Sequence, residues 1–217
     1  MVRMSDYFQK HRYRDPNEGV VAAYVLPKLE FILNNINLRR ESKILDVGCG
    51  NGTFTYYFQK MYKHIYGTDM SIFQLKTNSC SNLICAGAYK LPFKDNSFDL
   101  VFSANLFHHL ESPALAIQEM KRVSRRFLGF IEPNRLNPMM FLFSLVVSEE
   151  RGTRKSSLGI WRKMSEKLNL NVLNSMTTGM ITQQNTPPKL VPLLRHFDFN
   201  FIFGAYSVLV CEVEKQL

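Results

Sequence analysis

Short apolar runs alternate along this chain with stretches of helical period, a pattern that predicts an α/β domain with a parallel sheet covered on both faces. Tyr24 to Asn35 places Val25, Leu29, Ile32 and Leu33 near one helical face. Ile44-Leu45-Asp46-Val47 is a run suited to a strand buried on both sides, and Gly48 to Gly52 turns it into a helix beginning near Thr53. Further strands are expected at His64 to Thr68, Leu83 to Ala86, Phe98 to Ser103 and Phe127 to Ile131. Ser112-Pro113 has the form of a helix start, with proline at the first helical position and the helix running towards Val123. The tail offers an apolar helix around Val191 to Phe197 and a last strand over Tyr206 to Val213. No repeat or linker divides the 217 residues, so they read as one domain.

The glycine turn carries the first chemical argument. A strand ending in Asp46-Val47-Gly48-Cys49-Gly50-Asn51-Gly52 brings backbone rather than side chains against a ligand, at the carboxyl edge where open α/β sheets bind theirs. The following helix points its N-terminus at the same place. The glycines fall at alternate positions, so this is neither the G-x-G-x-x-G of dinucleotide sites nor a phosphate-binding loop ending in Gly-Lys-Ser/Thr. Another nucleoside cofactor fits the spacing. Asp69, at the end of the second strand, is placed to take both ribose hydroxyls, or alternatively to cap the helix after Ser71.

Composition changes little in this picture. Lys and Arg total 27 against 18 Asp and Glu, a net charge of +9, but the basic residues are spread along the chain and form no nucleic-acid tail. RNA, an anionic surface or an acidic substrate all agree with that balance, as does plain solvation. Cys49, Cys80, Cys85 and Cys211 make no CxxC pair or Cys/His zinc spacing, so no metal site is expected. The polar opening Met1 to Arg14 is unlike a secretory signal, and a reduced cytoplasmic setting is the simplest expectation. The longest apolar run, Pro138 to Val147, would extend ~15 Å as a helix, half of a ~30 Å bilayer core.

ILDVGCGNGTFT (Ile44 to Thr55), GTDMS (Gly67 to Ser71) and LPFKDNSFDLVFSANLFHHL (Leu91 to Leu110) together resemble the successive motifs of class I S-adenosylmethionine-dependent methyltransferases. The group that includes the ubiquinone/menaquinone-pathway C-methyltransferases is the nearest. The resemblance covers about residues 43 to 134. It implies a Rossmann-like, mostly parallel seven-stranded sheet with helices on both faces and an antiparallel last strand, with 1–40 as an N-terminal helical cap and 135–170 as a substrate-side insertion or lid.

By position, Asp46, Gly48, Cys49 and Gly50 would hold the amino-acid end of S-adenosylmethionine. Asp69 would take the ribose, Met70 would pack on the adenine, and Asn105 and Leu106 would line the site beside the sulfonium. Two departures stand out. No acid stands two to four positions before Leu91-Pro92-Phe93, so adenine would rest on the backbone near Gly87 and Ala88. The family's Pro-Gly-Gly turn is replaced by Arg125-Arg126-Phe127.

His108 and His109 are candidate bases, since histidine titrates near neutrality and their position in the family faces the pocket. On one helix two adjacent histidines cannot share a face, so at most one is expected to reach substrate, and packing against the sheet is the competing role. Glu132 ends the fifth strand and would contact substrate or act as base, or else cap the next helix or pair with Arg135. Asn137-Pro138-Met139-Met140 is no Asn/Asp-Pro-Pro-aromatic site, which argues against adenine or glutamine N-methylation.

Substrate choice is expected to reside in Met139 to Gly159 and in Tyr7 to Arg14. Met139-Met140-Phe141-Leu142-Phe143 reads as a core helix against the sheet, as a lid over an apolar substrate or as a contact for membrane lipid. A small-molecule acceptor methylated on oxygen or carbon is the favoured function. An RNA-modifying enzyme and a non-catalytic binding module remain open.

Overall fold

The computed structural model describes residues 13–214. Tyr7 to Arg12, part of the expected substrate-selecting segment, lie outside the described residues. Helix α1 (Gly19–Asn34) precedes β1 (Lys43–Val47), α2 (Thr53–Met61), β2 (His64–Asp69), α3 (Ile72–Thr77), β3 (Leu83–Cys85) and β4 (Phe98–Ala104). Then come α4 (Pro113–Val123), β5 (Ser124–Pro133), α5 (Pro138–Val146), α6 (Leu158–Lys167), β6 (Leu170–Thr178), α7 (Val191–Leu194) and β7 (Tyr206–Val213). Short 3-10 segments at Phe107–His109 and Ser148–Lys155 complete the part of the chain that matters for the site.

The seven strands form one sheet in the order β3-β2-β1-β4-β5-β7-β6. β7 runs antiparallel to both neighbours and every other pairing is parallel. Strand order therefore reverses between β1 and β4, and the carboxyl ends of β1, β2 and β4 open on one crevice.

Alternation along the strands splits the core in two. Ile44, Leu100, Phe102, Val208 and Val210 face α1 and α2, against Tyr24, Leu29, Ile32, Phe54 and Phe58. Their chain neighbours Leu45, Val101, Phe130, Leu209 and Cys211 face the other side, against Ile117, Met120, Phe107 and Trp161. This is the period-2 rule acting in strands buried on both faces.

Several elements extend the sequence reading. α1 begins five residues before Tyr24 because Val20 and Val21 continue its buried stripe. β5 runs from Ser124 to Pro133, with Ser124 Oγ donating to the Phe127 carbonyl at 2.9 Å where the Pro-Gly-Gly turn is missing. The sequence pattern predicts neither α6 nor β6. β6 is an edge strand whose Asn171, Asn174, Ser175 and Thr177 mask its apolar alternation, and its pairing with β7 shifts register between Val172 and Asn174.

α5 overturns the core-helix reading. Its only buried residue is Ser144, while Met139, Leu142 and Val146 are 67%, 60% and 85% exposed. The helix is stopped from burying its apolar face by its start: Asn137 accepts the Met140 N–H at 3.0 Å as N-cap and donates to the Phe203 carbonyl at 2.7 Å. Among the described residues no helix is long and apolar enough to cross a membrane.

Candidate functional site

The site is built around three glycines in the left-handed region, at two of which a side chain would also collide. Gly48, Gly50 and Gly52 have φ of +73°, +49° and +89°, in the left-handed region. A Cβ on Gly48 would lie 2.9 Å from Leu106 Cδ1, and one on Gly52 would lie 2.5 Å from Asn78 Oδ1. Above Gly50 and Gly87 the space is open.

Backbone donors tie the turn to β2. Gly48 and Cys49 both donate to the Thr68 carbonyl, at 2.7 and 3.0 Å, and Gly50 N–H donates to Asp69 Oδ2 at 2.9 Å. Asp69 Oδ1 accepts the Ser71 N–H at 2.8 Å. Ser71 itself caps α3, accepting from Gln74, so the alternative of Asp69 as the cap is set aside. Burial lifts the Asp69 carboxyl above its ordinary range while those two N–H groups pull the other way.

Asp46 is buried at the end of β1. Its carboxylate accepts from Thr55 Oγ1 at 2.9 Å in the first turn of α2, and burial, with a smaller push from the charge of Asp69, raises it to about 7. Cys49 points away from the crevice, with its thiol against Gly67 and within 3.4 Å of Asn78 Nδ2. Met70, the residue after Asp69, is 65% exposed.

Across the turn, Asn105 adopts φ +53°, its N–H donates to the Ile131 carbonyl and its Nδ2 donates to the Tyr24 hydroxyl at 2.7 Å. Leu106 packs on Gly48. The next residues form a 3-10 turn rather than an α-helix, which corrects the expectation that the two histidines diverge. The rings of His108 and His109 lie 3.8 Å apart by centroid.

Glu132 holds this turn. It is fully buried, accepts the N–H groups of Leu106, Phe107 and His108 at 2.8, 2.7 and 3.2 Å, and meets His108 Nδ1 at 2.7 Å. It thus neither caps the following helix nor pairs with Arg135, whose guanidinium donates to the Arg154 carbonyl. His108 Nε2 meets Glu150 Oε2 at 3.2 Å on the segment Ser148–Lys155. Burial works against a charge on His108, but Glu132 and Glu150 outweigh it and lift the imidazole to about 9. His109, pushed down to about 4 by burial and by His108, donates from Nδ1 to the Glu149 carbonyl at 3.1 Å.

Sequence reasoning missed four residues that shape the site. Asn78 donates to the Gly50 carbonyl at 3.2 Å and braces the turn from below. Gln183 donates to Thr53 Oγ1 at the start of α2. Tyr24 sits behind Asn105, and Glu150 reaches the histidine pair. Nothing in the local pattern distinguishes these; each lies far in sequence from what it touches. Two cavities, of about 250 and 420 Å³, lie elsewhere, beside Arg40, Lys60 and Lys63 and beside Arg125, Arg126 and Glu212.

A family model described as a methyltransferase domain matches residues 45–126, from β1 through the glycine turn and the histidine pair to the start of β5. Over those residues the chain is similar to methyltransferase domains. It is 34% identical over 106 residues to an uncharacterized methyltransferase of Schizosaccharomyces pombe, covering 41% of this chain and 38% of that protein. It is 33% identical over 102 residues to a demethylmenaquinone methyltransferase of Staphylococcus aureus, covering 42% of each. The chain thus spans well under half the length of these curated relatives. The solved structure of a S-adenosylmethionine-dependent methyltransferase from Thermotoga maritima superposes with a TM-score of 0.70 at 15% identity, over 90% of this chain and 91% of that one. The chain has the Rossmann-like sheet the motifs implied, with β7 as its antiparallel member.

Proposed function

We propose that this chain binds S-adenosylmethionine and moves its methyl group to an oxygen or carbon of a small organic acceptor. One observation carries the reading: three left-handed glycines at the strand-order reversal, clamped to the Asp69 carboxylate through Gly50, with open space above Gly50.

The residues present fit the cofactor. A carboxylate has about four lone-pair sites, so Asp69 can accept from ribose hydroxyls while keeping Gly50 and Ser71. Exposed Met70 offers an apolar face for the adenine beside the open backbone at Gly87 and Ala88. For the amino-acid end, Arg14 supplies a cation. Its Nη1 is buried with no hydrogen-bond partner among the described residues, and its carbonyl lies 3.5 Å from Asn51 Nδ2 in the glycine turn. Asp46 and Cys49 act here through position, fixing Thr55 and the underside of the turn, rather than by side-chain contact.

When bound, the cofactor supplies a methyl group already activated by its sulfonium, so the protein's task is alignment. Asn105 and Leu106 form the wall where an acceptor would meet it. Of the three residues expected to move a proton, Glu132 and His108 are positioning residues, each committed to partners; His109 is the remaining one. The exposed apolar side chains of α5, on the expected lid, support an acceptor with an apolar body.

Titration calorimetry tests the reading. S-adenosylmethionine and S-adenosylhomocysteine should each bind one to one and raise the melting temperature. No rise at saturating cofactor would leave a non-catalytic module. The net charge of +9 motivates RNA as the second acceptor class. Binding of tRNA that weakens steeply with salt would move the acceptor there, and no gel shift at low salt would end that reading.

A further inference from the structure

The histidine pair and Glu150 have a second property, one that competes with the proton-moving role left to His109. One ring nitrogen of each histidine and one carboxylate oxygen of Glu150 all lie within 4.8 Å of one another. We propose that His108, His109 and Glu150 form a binding site for one divalent cation of the zinc class.

Orientation is the first argument. A metal-binding imidazole nearly always donates its other N–H to a carboxylate or a backbone carbonyl, which fixes the tautomer and directs the lone pair. Both rings here have that second partner. His108 Nδ1 meets Glu132 Oε2 at 2.7 Å and His109 Nδ1 meets the Glu149 carbonyl at 3.1 Å. A carbonyl only accepts, so neutral His109 carries its proton on Nδ1 and its lone pair on Nε2. Glu132 is in turn fixed by three backbone N–H groups, so the outer shell is rigid before any ion arrives.

Charge and donor type agree. Glu132 and Glu150 bring two negative charges around two imidazoles, and a divalent ion would take the place of the proton that His108 Nε2 now shares with Glu150. Two imidazoles and one carboxylate are a set that zinc uses when it keeps a fourth position open. Tetrahedral zinc with bonds of about 2.0–2.1 Å needs donors about 3.3–3.4 Å apart, so the present cluster would contract on binding. Glu150 is the more exposed partner in that contraction, 17% exposed on the Ser148–Lys155 segment against 2% for the His108 side chain. That segment is docked closely: a Cβ on Gly152 would fall 1.5 Å from the His108 carbonyl oxygen. No ligand spacing along the chain announces such a site, because Glu150 meets the histidines only through this docking.

The full chain, stripped with chelator and dialysed, is titrated with Zn2+ in a calorimeter, in a Cys85→Ser background that removes the exposed thiol. One Zn2+ per chain is expected, with Glu150→Gln and His109→Gln each weakening it at least about tenfold. Metal binding is read without turnover, so it stands or falls apart from the methyltransferase reading. Co2+ gives a second test on the unsubstituted ligand set, should a variant misfold. A four-coordinate cobalt spectrum lacking thiolate charge transfer supports the site. Absence of stoichiometric binding, affinity unchanged in both variants, or a thiolate-dominated cobalt spectrum each overturns it.

Discussion

At the residue scale the side chains that matter most are polar ones placed where water does not reach. Lys28 is the extreme case. It lies on the buried face of α1, with its Nζ donating to the Tyr24 carbonyl at 2.5 Å and lying 4.2 and 4.8 Å from the ring centroids of Tyr24 and Tyr206. Burial pushes its pKa down to about 7 from 10.5, opposed by the charge of Asp198. The folded state therefore releases a proton that the unfolded chain keeps between pH 7 and 10.5, and stability rises with pH across that window. Lys28→Met removes the dependence. Relative to the variant, the parent should gain about 3 kcal/mol between pH 7 and 9.5, measured by denaturant unfolding.

Asp69 gives a sharper functional prediction at the same scale. Asp69→Ala should weaken S-adenosylmethionine binding by roughly ten- to a hundredfold, since a charge-assisted hydrogen bond contributes about 1.5–3 kcal/mol. Calorimetry showing the parent's affinity would remove Asp69 from the site. Arg14→Gln should lower affinity in the same assay by about tenfold. Unchanged binding there would leave the amino-acid end to backbone groups alone.

Elements show which features the sequence could express. The glycine turn, Asp69 and the strands before and after them are legible because each is a local pattern: a period, a turn, a spacing. Their long-range consequences were not. Glu132 reads locally as a strand end and acts by capping a turn 24 to 26 residues earlier. β6 carries too few apolar positions to announce itself and exists because β7 offers it an edge. α5 reads as core from its composition, yet its flanking contacts turn that face outward. Replacing Leu142 and Val146 by Gln should accordingly change folding stability by no more than about 0.5 kcal/mol each. A drop in turnover with unchanged unfolding would place α5 against the acceptor; a loss of several kcal/mol would return it to the core.

For the whole molecule, the domain depends on the docking of the 148–155 segment onto the turn at 107–109. Gly152→Ala must push the two apart, since the nearest atom is backbone and cannot rotate away. A cost of about 1–3 kcal/mol is expected for such overpacking, which is a fall in Tm of roughly 2–12 °C for a domain of this size. Differential scanning calorimetry decides; an unshifted Tm would show that the segment is loosely held.

The downward-facing thiol of Cys49 also makes the molecule its own reporter. Cys85 lies at the surface, whereas Cys49 is sealed between Gly67 and Asn78 directly beneath the glycine turn. An alkylating reagent should label Cys85 at once and reach Cys49 only when the turn lifts away from β2. Read by peptide mass, which separates Cys49 from the buried Cys80 and Cys211, its slow phase then clocks that opening under native conditions. A ligand seated on the turn should lengthen it in proportion to how tightly it is held.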